Sequence, residues 1–248
     1  MRPTPEDDRQ RRRFQEIAEH YRLKILEGRI KPGDRLPSER EISEEFGVGR
    51  SSVREALFIL SRLGLVSLSG GARARVTEPD PQVIFRELSG IAMLMLRSPT
   101  GVKELQHVRT IVESGLARQA AISASDEAIQ QIRLALKENE KAINDPERFV
   151  ATDVAFHRSI AEAVSNSIFS AMLDGLTEWL FDQRRVSGRS NVLQTEILQH
   201  HERIFRAIEA RNPAEALAAM EDHLQAVMKN YWLSMTLWGE QAPSPHHR

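Results

Sequence analysis

The stretch FGVGRSSVREALFILSRLGLVSLSGGARARV, residues 46–76, decides the fold of the first part of the chain. Gly47 and Gly49 bracket a tight turn, and the apolar spacing after it predicts a helix from about Ser51 to Leu63. Two short β-forming segments flank the Gly70-Gly71 pair, which is typical of a hairpin. The pattern therefore predicts a turn, a helix and a two-stranded wing in succession.

Two more helices are predicted upstream of this stretch. The apolar spacing from Phe14 to Glu27 indicates one amphipathic helix. Ser38 with Glu41 three residues later is a capping-box pattern, and it indicates the start of a short second helix. Three helices and a hairpin predict a winged helix-turn-helix domain over residues 14–77. The polar, proline-containing residues 1–13 are expected to be a mobile arm.

The remainder of the chain is predicted to be all α. Residues 78–81, with the sequence EPDP, break helices and indicate a linker. Beyond them no strand pattern appears, so residues 82–240 are predicted to form a helical bundle and residues 241–248 a disordered tail. The mainly α chain thus has two domains. Helices are predicted near 82–97, 102–122, 126–143, 147–164, 168–186, 192–210 and 214–238.

Composition excludes several classes of protein. The 248 residues contain no cysteine, which removes disulfides and thiolate chemistry and agrees with a reducing cytoplasm. No apolar run is long enough for a transmembrane helix, and Met1–Arg13 lacks the apolar core of a signal peptide. Residues 1–77 carry a formal charge of +4 and the remainder −5. We therefore expect any polyanionic partner to bind the first domain.

The predicted second helix of the helix-turn-helix opens with residues suited to DNA. Recognition helices place their N-terminal residues against base edges in the major groove, while the wing contacts the backbone. Arginine can donate two hydrogen bonds to guanine, and serine hydroxyls suit phosphates. Surface arginines often serve only for solvation, but these cluster on one predicted edge. The candidate DNA-contacting residues are Arg40, Arg50, Ser51, Ser52, Arg54 and Gly71.

An aspartate and three histidines in the second domain are candidate metal ligands. Asp153 and His157 are one helical turn apart, and His201 and His223 lie on successive helices joined by the Asn212-Pro213 turn. Such a set suits Zn²⁺, with Mn²⁺ or Ni²⁺ as alternatives. Taken one at a time, these histidines are more typical of structural residues than of ligands.

The quoted stretches resemble GntR-type winged-helix regulators, and the helical domain is similar to the FCD ligand-binding domain of the FadR branch. PGDRLPSERE (32–41) and residues 46–76 carry the first resemblance, while residues 152–169, 200–216 and 220–224 carry the second. The resemblance implies that the six candidates above contact DNA and that Asp153, His157, His201 and His223 bind metal. It also implies that Arg109 clamps a carboxylate of an effector. Glu113, one turn later, would orient Arg109 or a metal ligand.

These features predict a ligand-responsive repressor of a catabolic operon that binds a palindromic double-stranded operator as a homodimer. Effector binding at the metal site would release the operator. RELSGIA (86–92) and the wing resemble the branch that controls sialic-acid catabolism. The alternative is a metal-dependent hydrolase, since an Asp/His₃ site could activate water. His201-Glu202 begins like a zinc-protease HExxH motif, but Phe205 breaks it.

Overall fold

The computed structural model describes residues 5–69, 72–181 and 190–241, which contain ten helices and two short strands. The chain divides into two compact units, Met1–Val83 and Ile84–Arg248. The elements of the first unit are α1 (Pro5–Leu26), α2 (Glu39–Phe46), α3 (Arg50–Arg62), β1 (Val66–Ser67) and β2 (Arg75–Val76), and α4 (Gln82–Met95) begins at its end. Those of the second are α5 (Pro99–Ser123), α6 (Asp126–Lys141), α7 (Pro146–Ala163), α8 (Ser167–Trp179), α9 (Asn191–Glu209) and α10 (Pro213–Gln241).

The first unit is a winged helix-turn-helix, as predicted. The Ser38–Glu41 capping box is formed, because Ser38 Oγ accepts from the Glu41 backbone N–H and the Glu41 carboxylate accepts from Ser38 N. Strands β1 and β2 pair antiparallel, with Val66 opposite Val76. The helices and the wing enclose one apolar core, whose fully buried members include Ile17, Tyr21, Leu36, Ile42, Val53 and Leu60.

The first helix starts earlier than predicted. Residues 1–13 were expected to be a mobile arm, but α1 begins at Pro5, so most of that segment is helical. Proline suits the first turn of a helix because its fixed φ is already helical and its missing N–H is not needed there. Residues 6–13 contain no glycine or β-branched residue, and Arg, Gln and Glu are strong helix formers. The charged composition of this segment predicts contact with solvent, which is compatible with an exposed helix as well as with a mobile arm.

The second unit is an all-α bundle in which α10 packs along α5, α6 packs against α7, and α9 contacts α5, α6 and α10. Its helix starts follow the predicted caps. The Asp145 carboxylate accepts from Arg148 N ahead of Pro146, and Asn212 Oδ1 accepts from Glu215 N ahead of Pro213. The main core is aliphatic with two phenylalanines and includes Ala117, Ile132, Phe156, Ile160, Ile204, Ile208 and Met220.

Several predicted boundaries shift by a few residues. Helix α5 starts at Pro99 rather than near 102, because Ser98 caps it by accepting from Gly101 N. The break between units falls after Val83, within the first turn of α4, rather than at 78–81. Helix α8 ends at Trp179, ahead of the predicted end at 186, and residues 182–189 lie outside the described residues. The tail was predicted over 241–248, but Gln241 still belongs to α10, and residues 242–248 lie outside the described residues.

Candidate metal centre and nucleic-acid interface

The four predicted metal ligands come together inside the helical bundle. Asp153 and His157 lie one turn apart on α7, His201 lies on α9, and His223 lies on α10. All four side chains are buried, and one ligand atom from each falls within 4.8 Å of the others. Ligand atoms around a tetrahedral Zn²⁺ are about 3.4 Å apart, given bonds of about 2.1 Å. Small side-chain movements would therefore bring the four atoms to one ion.

His201 is oriented by a buried asparagine on α6. Asn139 Nδ2 donates to the Phe149 carbonyl at 3.3 Å and to Thr152 Oγ1 at 3.0 Å, which fixes the orientation of its amide. The amide oxygen then accepts from His201 Nδ1 at 2.9 Å. Because Nδ1 carries the proton, Nε2 has the lone pair, and it lies 3.4 Å from Asp153 Oδ1 inside the cluster.

A buried ion pair lies against His157. The Glu113 carboxylate lies against His157 Nδ1 and also accepts from Arg109 Nε at 2.5 Å. Both Arg109 and Glu113 are almost fully buried, at 5 % and 2 % exposure. Sequence reasoning expected Glu113 to orient either Arg109 or a metal ligand, and the structure places it in contact with both. Arg109 is therefore linked to a candidate metal ligand through one carboxylate.

His223 is the member of the cluster with the clearest need for a further partner. Its side chain is 1 % exposed, and neither ring nitrogen has a hydrogen-bond partner among the described residues. Burial, and then the neighbouring His201 and His157, hold the pKa of His223 well below its ordinary value. A buried neutral imidazole with both nitrogens unbonded is costly by itself, and neutral imidazole is the form that binds a metal. The residues thus fit a divalent cation.

Asn139 is the residue that sequence reasoning missed. It follows Ile129, Ile132 and Leu136 on the inner face of α6 at helical spacing, and its side chain is fully buried. A polar residue at a position that the apolar pattern assigns to the core requires a buried polar partner. That signal was available in the sequence, although it did not identify His201 as the partner.

A groove of about 730 Å³ in the first unit is lined by α2, α3 and the wing. Arg40, Arg50 and Arg54 line it as predicted, and Arg73 of the wing is a fourth arginine that sequence reasoning did not assign. Arg73 lies two residues after Gly71 in the wing, and a basic residue so close to the glycine pair is the signal that could have found it. Glu39 and Glu55 also line the groove, so its lining is net positive and includes the predicted recognition helix α3, which suits a polyanion.

The predicted DNA-contacting residues differ in their exposure and in their ion pairs. Arg50 and Ser51 are exposed at the start of α3, whereas Ser52 is only 5 % exposed and faces the core. Arg54 Nε donates to Glu39 at 3.0 Å, and Arg40 lies 3.5 Å from Glu44. Gly71 lies outside the described residues. Arg50 is thus the candidate whose side chain is exposed and makes no ion pair among the described residues.

Residues 14–76 match the family model described as "Bacterial regulatory proteins, gntR family", and residues 104–226 match the FCD domain. The chain is 40 % identical over 218 residues to the HTH-type transcriptional repressor NanR of Klebsiella aerogenes, covering 85 % of this chain and 82 % of that protein. The chain belongs to the GntR family and carries an FCD domain. The NanR repressor of Cronobacter sakazakii is 38 % identical over 229 residues, covering 89 % of this chain and 86 % of that protein.

Solved GntR-family structures share the fold. Streptococcus agalactiae GntR superposes with a TM-score of 0.60 at 22 % identity, covering 87 % of this chain and 99 % of that one. Escherichia coli McbR/YncC superposes with a TM-score of 0.52 at 15 % identity, covering 90 % and 98 %. Membership in this family of regulators makes the chain a transcription regulator rather than an enzyme, and the hydrolase alternative is not supported. Every helix in the described ranges is too short or too polar to span a bilayer.

Proposed function

We propose that this regulator is a cytoplasmic repressor that binds a palindromic operator as a homodimer and is released by a small carboxylate. The observation that carries the proposal is the buried Asp153–His157–His201–His223 cluster, in a chain whose other domain presents a groove lined by arginines. The first feature suits a ligand site and the second suits DNA. The NanR relatives are named as repressors, which supports repression rather than activation of transcription.

The proposed metal is Zn²⁺, with Mn²⁺ or Ni²⁺ as alternatives. Three imidazoles and one carboxylate form a nitrogen-rich set, which suits these ions better than Mg²⁺ or Ca²⁺. Asp153, His157, His201 and His223 would hold the ion, Asn139 orients the ring of His201, and Glu113 lies against the ring of His157. When bound, the ion supplies a Lewis-acidic centre that attracts a carboxylate. The protein contributes buried surroundings and ligands whose orientations are set by neighbouring side chains.

Arg109 is the proposed clamp for the effector carboxylate. A guanidinium presents five donors in a rigid fork that matches a carboxylate, and the bond from Nε to Glu113 fixes the plane of that fork. Because Glu113 also contacts His157, a change at Arg109 is transmitted to a metal ligand through one side chain. The resemblance to the branch that controls sialic-acid catabolism makes sialic acid, which bears one carboxylate, the proposed effector.

The proposed DNA interface is the groove between α3 and the wing. Arg40, Arg50, Ser51 and Arg54 would contact bases or phosphates, and Arg73 would contact the backbone from the wing. Ser52 contributes through its place at the start of α3, since its side chain is nearly covered. Gly71 would let the wing tip approach the backbone closely, because glycine has no side chain to clash.

The metal assignment is tested by the metal content of purified variants. His157→Ala removes one of four ligands, so we expect it to lower bound metal per chain and to weaken the response to sialic acid. Operator affinity should stay near that of the wild type, because the cluster and the groove lie in separate units. His200→Ala is the matched control, since this neighbouring histidine lies outside the group of four. A full equivalent of metal in His157→Ala, with unchanged affinity, would refute the cluster.

A further inference from the structure

The four candidate metal ligands lie too deep for an ion to reach them directly from solvent. Asp153 is 7 % exposed, and His157, His201 and His223 are 2 %, 0 % and 1 % exposed. A hydrated divalent cation exchanges its water for protein ligands as it enters such a site, so the site needs an entry path. A partly exposed ligand beside the cluster would provide a first binding position on that path.

His200 is a partly exposed histidine whose ring lies beside the cluster. Its ring centroid is 5.7 Å from that of His223, and the two ring planes make an angle of 54°. The side chain of His200 is half-buried and makes no hydrogen bond or ion pair with another described residue. Its imidazole is therefore available to an ion that arrives from solvent.

The spacing of the rings allows one ion to be held by His200 and His223 together. A Zn²⁺ bonded at about 2.1 Å to an imidazole nitrogen lies about 3.2 Å from the centre of that ring, so two rings that share an ion have centroids about 5–6 Å apart. Within the cluster, the centroid of His223 is 4.7 Å from that of His201 and 5.1 Å from that of His157. The 5.7 Å between His200 and His223 is a similar spacing. His223 therefore lies between an inner position, shared with His157 and His201, and an outer position, shared with His200.

A carboxylate one turn from His200 gives the outer position a charge that attracts a cation. Glu196 precedes His200 by four residues on α9, so the two side chains lie on one face of the helix. Glu196 is exposed and makes no ion pair with another described residue. The spacing repeats that of Asp153 and His157 on α7. Helix α9 thus carries the buried ligand His201 and, next to it, a carboxylate and an imidazole that are accessible to solvent.

We propose that His200 is the entry ligand of the metal centre: a divalent ion binds first to His200 and His223, and then moves inward to the group of four. The inference rests on the proposed metal site, and it adds the route by which the ion reaches that site. His200 does not belong to the final set of ligands, so it changes how fast the ion enters and leaves but not how tightly it is held. Because the ion uses the same route in both directions, loss of His200 slows association and dissociation by the same factor.

Stopped-flow kinetics of the full chain, with Zn²⁺ as the only ligand, test this route. Association is measured by mixing metal-free protein with Zn²⁺ and a fluorescent zinc indicator, and dissociation by mixing the zinc-loaded protein with saturating EDTA. His200→Ala should slow both rates by at least about tenfold, because it removes the site that concentrates the ion beside the cluster, and should leave the Kd within about twofold of wild type. His107→Ala is the matched control, since it removes an exposed histidine of α5 that lies outside the group of four, and it should change neither rate.

Two further substitutions separate binding of the ion from packing of the side chain. His200→Glu places a carboxylate that can bind Zn²⁺ at this position, so it should recover most of the rate lost in His200→Ala. His200→Gln has the same shape as the glutamate variant without its charge and should remain slow. Wild-type rates in His200→Ala, or equal rates in the glutamate and glutamine variants, would overturn the entry role. A Kd that rises tenfold in His200→Ala would also overturn it, because His200 would then be a ligand at equilibrium. A wild-type chain that binds no Zn²⁺ would refute the metal site itself, and the route with it.

Discussion

Asn139 shows how one side chain determines which atom of a proposed metal ligand is available to bind. Its amide is held by two donated hydrogen bonds, so its oxygen faces His201 and leaves His201 Nε2 as the candidate ligand atom. Partners of this kind fix the ring orientation and the tautomer of metal-binding histidines, and removing one typically costs about 10–100-fold in metal affinity.

We therefore expect Asn139→Leu to weaken metal binding by about 10–100-fold, measured by competition with a chelator. Asn139→Asp should recover only part of the affinity, because a carboxylate oxygen still accepts from His201 Nδ1 but cannot donate to the Phe149 carbonyl. Thr152→Val is the control, since it removes only the contact on the donor side of the amide.

Nitrogen NMR of the imidazoles should show His201 protonated at Nδ1 in wild type and a mixture of tautomers in Asn139→Leu. A single unchanged tautomer in that variant would contradict the assignment.

Arg50 and Arg54 are predicted to differ in their contribution to operator binding. Either could read a base edge, and losing such a contact typically costs about 1–3 kcal/mol. Arg54 must break its hydrogen bond to Glu39 before it can contact a base, which offsets part of the free energy gained from that contact. We therefore expect Arg50→Ala to weaken operator binding more than Arg54→Ala. Arg22→Ala on α1 is the control of equal charge change. Fluorescence anisotropy with operator DNA selected from genomic fragments measures all three. Equal affinity in wild type and both groove variants would remove these residues from the readout.

At the scale of the elements, alanine substitutions at two glycines are expected to change the free energy of unfolding in opposite directions. Gly64, just after α3, has φ +70°, and a Cβ there would lie 2.7 Å from Val83 Cγ2. Gly90 in α4 is exposed, and a Cβ there would meet nothing within 4 Å. We expect Gly64→Ala to lower the free energy of unfolding of the first unit by about 1–2 kcal/mol. Gly90→Ala should raise the stability of the second unit by up to about 1 kcal/mol. Denaturant unfolding checks both, and a stabilised Gly64→Ala would contradict the strain argument.

The sequence predicted those elements whose signals are local. The caps at Ser38, Asp145 and Asn212 are formed, because each depends only on residues within one turn. The start of α1 at Pro5 was missed, since charged residues favour a solvated helix as much as a mobile arm. Spacing placed Asp153 and His157 on one helix face and indicated that an antiparallel helix pair could bring His201 close to His223. The family resemblance then implied that all four bind one metal. The Asn139–His201 contact joins residues 62 positions apart, so no local pattern could reveal it.

At the scale of the whole molecule, α5 links the proposed effector clamp to the proposed metal site. Arg109 and Glu113 lie on its buried face, where Glu113 contacts both Arg109 and His157. A helix of 25 residues that carries both side chains can transmit a small shift at the site along its length. We infer that effector binding alters how two copies pair, and thereby the spacing of two recognition helices, which must match half-sites about one DNA turn apart.

Titration calorimetry of sialic acid into the metal-loaded protein, with and without saturating operator DNA, tests the central claim most directly. Coupling between two such sites is typically about 1–3 kcal/mol, so operator DNA should weaken sialic acid binding by roughly 5–150-fold. By linkage, sialic acid must weaken operator binding by the same factor. Arg109→Ala serves as the control, and it should lose sialic acid binding while it retains operator affinity. Sialic acid binding of equal affinity in the presence and absence of operator DNA would contradict the account.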